Sequence, residues 1–153
     1  MLLRYARNVL FAAVLAVPTA SQASHIMGGE LVYRHLGGLD YEVTLVVYRD
    51  CYGIGLGSYT GCTITSLSCG QSLSMILDTI GTAQLASGCS NLLTTCQGGQ
   101  LPGVEVYAYR DTVTLPMACA DWVFSWSNCC RNAAVTNLVN PDLYGYSVEA
   151  ELN

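Results

Sequence analysis

The chain has 153 residues, 52% of them hydrophobic, no lysine, and a formal charge of −5. An acidic, lysine-free surface excludes the phosphate neutralisation that nucleic-acid binding requires, and it argues against anionic membrane surfaces as well. Eight cysteines in so short a chain raise a choice between a disulfide framework and a metal site.

The N-terminus decides that choice. Met1 to Ala23 reads as a secretory signal peptide: Arg4 and Arg7 form a charged start, a short apolar run follows from Val9 to Val17, Pro18 breaks it, and Ser21-Gln22-Ala23 places small residues at the cleavage site. The run is too short to span a bilayer, and no later segment is long and apolar enough to do so. Cleavage before Ser24 removes two arginines and takes the charge from −5 to −7. The mature chain, 24–153, is one domain by size, large enough to bury about two-thirds of its unfolded surface. All eight cysteines, Cys51, Cys62, Cys69, Cys89, Cys96, Cys119, Cys129 and Cys130, lie in it. An even number of cysteines behind a signal peptide reads as a set of disulfides. Eight cysteines allow 105 full pairings, so order alone does not fix the connectivity.

Gly28-Gly29 allows a bend before a first strand, Glu30 to Leu36, and Gly37-Gly38 makes a hairpin turn. The second strand, Tyr41 to Asp50, alternates clearly, with Tyr41, Val43, Leu45 and Val47 on one face. Val46 and Tyr48 on the other face predict cover on both sides near Arg49. Tyr52 to Gly70 is punctuated by glycines and lacks regular apolar spacing, which predicts a long loop, pinned or functional. Cys62 and Cys69 fall inside it, and a local bond between them would close a small ring. Gln71 to Asp78 predicts a strand with Leu73, Met75 and Leu77 inward, and Thr79 to Gly103 predicts a second loop with a weak helical turn near Asn91 to Thr94. In the strand region Val104 to Leu115, Val104, Val106 and Ala108 share one phase while Val113 and Leu115 share the other. A flip of that kind predicts a bulge or a bend at Arg110-Asp111.

The segment Asp121 to Asn132 holds both tryptophans and the adjacent pair Cys129-Cys130. Trp122, Phe124 and Trp126 alternate with Val123, Ser125 and Ser127, so a strand here buries three aromatics on one face. Vicinal cysteines rarely bond to each other, so Cys129 and Cys130 are expected to reach two different partners. A last strand alternates from Tyr144 to Leu152. Six or seven strands with glycine-rich turns and no amphipathic helix predict an all-β fold, an antiparallel, immunoglobulin-like β-sandwich stapled by disulfides, with long Gly/Cys-rich loops. The alternative is a small barrel.

Each candidate site has a plain structural counterpart. Arg49, Asp50 and Arg131 lie beside cysteines at strand ends, where a guanidinium fork can satisfy several carbonyls; a structural clamp outweighs a ligand role for them. His25 and His35 are not at ligand spacing, there is no Cys-x-x-Cys, and oxidised cysteines are inert as nucleophiles, so neither a metal, nor a cofactor, nor a catalytic residue is expected. Asp40, Asp50, Asp111 and Asp142 lie at strand ends but form no calcium loop. Tyr52 and Tyr59, in the glycine-rich stretch, are the aromatics expected at the surface, where flat rings could stack on sugars.

Several strings resemble a known family. His25-Ile26-Met27-Gly28-Gly29-Glu30-Leu31-x-Tyr33-Arg34, Tyr41-Glu42-Val43-Thr44-Leu45-x-x-Tyr48-Arg49-Asp50-Cys51, Cys129-Cys130-Arg131-Asn132 and Asn137-x-x-Asn140-Pro141 are similar to the start of large secreted proteins of Bacteroidota, many of which carry a gliding-motility-associated C-terminal sorting domain for type IX secretion. The resemblance spans nearly the whole mature chain. It implies a β-rich N-terminal module of a secreted or cell-surface protein, exported through the periplasm, and brings no catalytic residue with it. His35 stands where the family usually has cysteine. The family proteins also continue far past such a module, so this chain is either a fragment of a longer reading frame with further domains or a stand-alone module. The expected function is non-enzymatic: adhesion or surface architecture, with surface glycans or other surface proteins as partners. A carbohydrate-binding module is the alternative, and a small secreted hydrolase a distant one that requires a free thiol.

Overall fold

The computed structural model describes residues 26–85, 92–129, 131 and 135–152. The expected leader, His25, Cys89 and Cys130 lie outside the described residues. Seven strands are present: β1 (Ile26–Gly37), β2 (Asp40–Asp50), β3 (Tyr59–Ser66), β4 (Gln71–Gln84), β5 (Val104–Thr114), β6 (Trp122–Cys129) and β7 (Gly145–Glu151). They pair antiparallel in the order β1-β2-β5-β4-β3-β6-β7. The sequence-based expectation of an all-β, disulfide-stapled antiparallel fold therefore holds. With strands lettered in chain order, the two halves read A-B-E-D and C-F-G, the two sheets of a constant-type immunoglobulin sandwich.

The sheets are joined by β4. Its first half pairs with β3 from Gln71 to Asp78, and its second half with β5 from Asp78 to Gln84. A register shift between Thr79 and Gly81 marks the crossing, since a bulge bends a strand enough to change sheets. The free edges of β1 and β7 meet on the far side. There the Tyr146 hydroxyl accepts the Gly29 N–H at 2.9 Å and donates to the Gly29 carbonyl at 3.2 Å.

Alternation explains the core. Val43, Leu45 and Val47 of β2 face Trp122, Phe124 and Trp126 of β6, with Ile64, Leu77, Tyr109 and Leu115 between them, all buried. Phe124 packs against the rings of Tyr33 and Tyr41 at 5.8 and 6.3 Å between centroids. The two indoles meet the polar cost of burial with one hydrogen bond each: Trp122 Nε1 donates to the Met117 carbonyl at 3.1 Å and Trp126 Nε1 to Thr60 Oγ1 at 2.8 Å. Gly38 has φ 60° in the β1–β2 turn, a left-handed geometry that glycine adopts without strain.

Four expectations need correction. Residues 59–66 are strand rather than loop; the inward side chains Cys62, Ile64 and Ser66 include only one aliphatic, so the apolar alternation was faint. β4 does not stop at Asp78. β5 runs without a bulge against β2: Tyr107 and Tyr109 point inward in phase with Val113 and Leu115, and the irregularity belongs to β4. No second layer among the described residues covers Val46 and Tyr48, both only partly buried.

The disulfides differ from expectation as well. Cys51 bonds Cys96 and Cys69 bonds Cys119, while Cys62 is a free, buried thiol. The expected Cys62–Cys69 ring does not form, because β3 turns Cys62 into the core while Cys69 lies in the β3–β4 turn. Cys129 is disulfide-bonded.

Candidate functional site: the loop pole

Strand direction sorts the connections to two poles. The short ones, 38–39, 67–70 and 115–121, lie at one end, called here the hairpin pole. The long ones join strand ends at the other, the loop pole, and their described residues are 51–58, 85, 92–103, 131 and 135–144. Exposed large apolar side chains are more numerous on the long connections than on the short ones, which carry Leu67 and Met117. Tyr52, Ile54, Leu92, Leu93, Val139, Leu143 and Tyr144 all stand exposed on the long connections, Tyr52 and Val139 at 81%. Scattered exposed apolar residues are ordinary on a protein surface, but a concentration at one end marks a contact surface.

The loop pole is built on fixed supports. Arg49 continues the inward row of β2 and is buried at the mouth of the core. Its Nη1 donates to the carbonyls of Asp50 and Gly53, its Nη2 pairs with the Glu105 carboxylate, and its guanidinium lies 5.9 Å from the centre of the Tyr107 ring. Its Nε is buried without a partner. Tyr109, whose hydroxyl donates to the Gly57 carbonyl at 2.9 Å, holds the far end of the same connection. The Cys51–Cys96 bond ties β2 to the segment after β4, reinforced by Cys51 N–H to the Gly103 carbonyl at 3.0 Å. Gly103 is required there: a Cβ would come within 2.5 Å of Cys96 Sγ.

Arg131 has a separate set of contacts. Its Nε donates to the Gly145 carbonyl at 3.1 Å, its backbone N–H donates to the Tyr144 carbonyl at 2.9 Å, and its guanidinium lies 5.3 Å from the centre of the Tyr146 ring. Arg49 and Arg131 flank the backbone of Ile26, which pairs with both, yet their side chains share no partner. Asn140 takes a left-handed φ of 53° before the Pro141–Leu143 turn, a conformation asparagine tolerates. Beneath this turn a cleft of about 350 Å³ is lined by Arg131, Val135, Asn137, Leu138, Tyr144 and Gly145.

The other predicted residues fall as follows. Tyr52 and Tyr59 are both exposed, Tyr59 at 65%; Tyr52 follows β2 and Tyr59 opens β3. Asp50 accepts the Tyr52 N–H at 2.9 Å at the loop pole. Asp40 and Asp111 lie towards the hairpin pole, taking the Thr114 hydroxyl and the Thr112 N–H. The side chain of Asp142 is outside the described residues. His35 stacks on Tyr41 and bonds the Gly38 carbonyl, a turn contact. Among the described residues no group of three His, Cys, Asp or Glu side chains could hold a metal. Burial pushes the Cys62 thiol up to about 11, the reverse of what activates a cysteine nucleophile.

At the hairpin pole, Asp121 accepts hydrogen bonds from Ser66 Oγ, Ser68 Oγ and the Ser68 N–H. These hold its carboxyl down to about 2. With Glu149 and Glu151 it borders a second cleft, of about 330 Å³. The two clefts thus differ in sign: one offers carboxylates, the other a guanidinium. No described helix is long and apolar enough to cross a membrane. Comparison of the chain with known protein families, with curated proteins and with solved structures finds no match.

Proposed function

We propose that this chain is a non-enzymatic extracellular module that serves adhesion or surface architecture through its loop pole. The observation that carries the reading is the gathering of all three long connections, with their exposed Tyr52, Ile54, Val139, Leu143 and Tyr144, at one end of the sandwich. Binding loops on a rigid β-framework are a general solution to recognition. The disulfides support an oxidising compartment, which fits export behind the expected leader and a place on, or outside, the cell surface. The resemblance to secreted Bacteroidota surface proteins supports the same assignment.

A carbohydrate ligand is the second reading, favoured by the exposed rings of Tyr52, Tyr59 and Tyr144. The test is retention of the oxidised mature domain on a surface carrying native cell-envelope material. Tyr52→Ser combined with Ile54→Ser should reduce retention at least fivefold, whereas Leu67→Ser, at the hairpin pole, should not change it. Equal retention of both variants would remove the loop pole from consideration.

A further inference from the structure

We infer that the Arg131 cleft is a binding site for the carboxylate of an acidic sugar, an assignment that rests on the loop pole being the contact surface. The first support is charge pairing. Of the four described arginines, Arg34 lies 3.1 Å from Glu42, Arg110 lies 3.9 Å from Glu42, and Arg49 pairs with Glu105. Arg131 has no carboxylate partner among the described residues. In a chain with almost twice as many acids as bases, 11 against 6, a guanidinium left without a counter-charge inside a concavity is an opening for an anion.

The second support is preorganisation. The Nε–H to Gly145 and the stack on Tyr146 fix the plane of the guanidinium, and Tyr146 is itself fixed by two hydrogen bonds to Gly29. Among the described residues no group takes a hydrogen bond from the terminal amino groups. A single planar fork matches one carboxylate by two parallel hydrogen bonds. A phosphate, with nearly twice the charge, would face a protein whose mature charge is −7 with one cation in support.

The third support is the rest of the lining. Tyr144 is half exposed and can take the C–H face of a ring, Asn137 offers an amide to hydroxyls, and Leu138 closes one wall. The volume of about 350 Å³ is in the range of small-ligand sites. An acidic peptide would use the guanidinium but leave the ring face and the amide without a role, so a carboxylated sugar fits the lining better.

The experiment titrates the oxidised mature domain with oligosaccharides ending in glucuronate, galacturonate or sialate, each beside its methyl ester, which removes only the charge. At least one acid should bind tenfold or more tightly than its ester. Arg131→Gln should abolish that preference. Because Arg131 also supports β7, Tyr144→Ala and Asn137→Ala serve as independent variants; each should weaken binding severalfold with an unchanged Tm. Equal binding of acid and ester, no binding of any acid, indifference to Tyr144→Ala, or preference for a glutamate-rich peptide would overturn the assignment. Retention that depends on Tyr52 and Ile54 while no acid is preferred would sink this inference alone. Retention indifferent to the Tyr52 and Ile54 variants would sink the loop-pole reading beneath it.

Discussion

The two poles of the sandwich solve the same closure problem by different means. At the hairpin pole three short connections are closed by small polar groups: Asp121 gathers Ser66 and Ser68, Trp122 bonds Met117, and Cys69–Cys119 ties the β3–β4 turn to the segment before β6. At the loop pole the connections are long, and closure falls to large side chains and covalent ties: Arg49 on Tyr107 with Glu105, Tyr109 on Gly57, Cys51–Cys96, and the disulfide of Cys129. The difference teaches that long loops here are held from below. Their roots are fixed by buried groups, which leaves their outer side chains exposed.

Breaking one disulfide at a time should show this most strongly. The sequence separations, 45 and 50 residues, are nearly equal, so the chain-entropy account assigns about 4 kcal/mol to each. Cys51→Ala with Cys96→Ala and Cys69→Ala with Cys119→Ala should therefore cost similar stability in denaturant titrations. Only the first should raise amide exchange in 51–58 and 92–103. Next in size is Arg49→Met, which leaves Glu105 without its partner and should cost about 3 kcal/mol; Arg49→Lys should recover less than half, because an ammonium cannot reach both carbonyls and the carboxylate.

The hairpin pole carries the acid sensitivity. Asp121 has its carboxyl held down to about 2 against an ordinary 3.8. Its contribution is complete above pH 4 and is lost as the pH falls towards 2. Thermal melts across that interval should show a steeper decline for the native chain than for Asp121→Asn. The smallest effect is expected at the loop surface: Tyr52→Ser should change stability by no more than about 0.5 kcal/mol, and a larger loss would mean that Tyr52 supports the fold rather than contacts a partner. In between stands Cys62, which should resist alkylation at pH 8 in the folded state and react once the chain is unfolded.

Strands with a full aliphatic or aromatic row were legible before the structure. β2, β6 and β7 announce themselves by Val43-Leu45-Val47, Trp122-Phe124-Trp126 and Tyr146-Val148-Ala150. β3 did not, because its buried row is a cysteine, an isoleucine and a serine. β5 hides its phase because tyrosine, half polar, fills the inward positions 107 and 109. The pairing of cysteines depends on which face each strand presents, and that is set by the fold. The same holds for Arg131. Its motif is visible, but its lack of a carboxylate partner among the described residues depends on where Glu42 and Glu105 come to rest, and no spacing along the chain encodes that.

The crossing of β4 from one sheet to the other has a mechanical consequence. β1 enters at the loop pole and β7 leaves at the hairpin pole, so tension between them runs along the strands. The β1–β2 and β6–β7 ladders would then be loaded in shear, with many hydrogen bonds opposing the pull together instead of opening one after another. Because β4 is shared, the two sheets cannot slide apart without tearing a continuous strand's pairing on both sides. A tether that grips at one end and is pulled from the other would draw on that resistance.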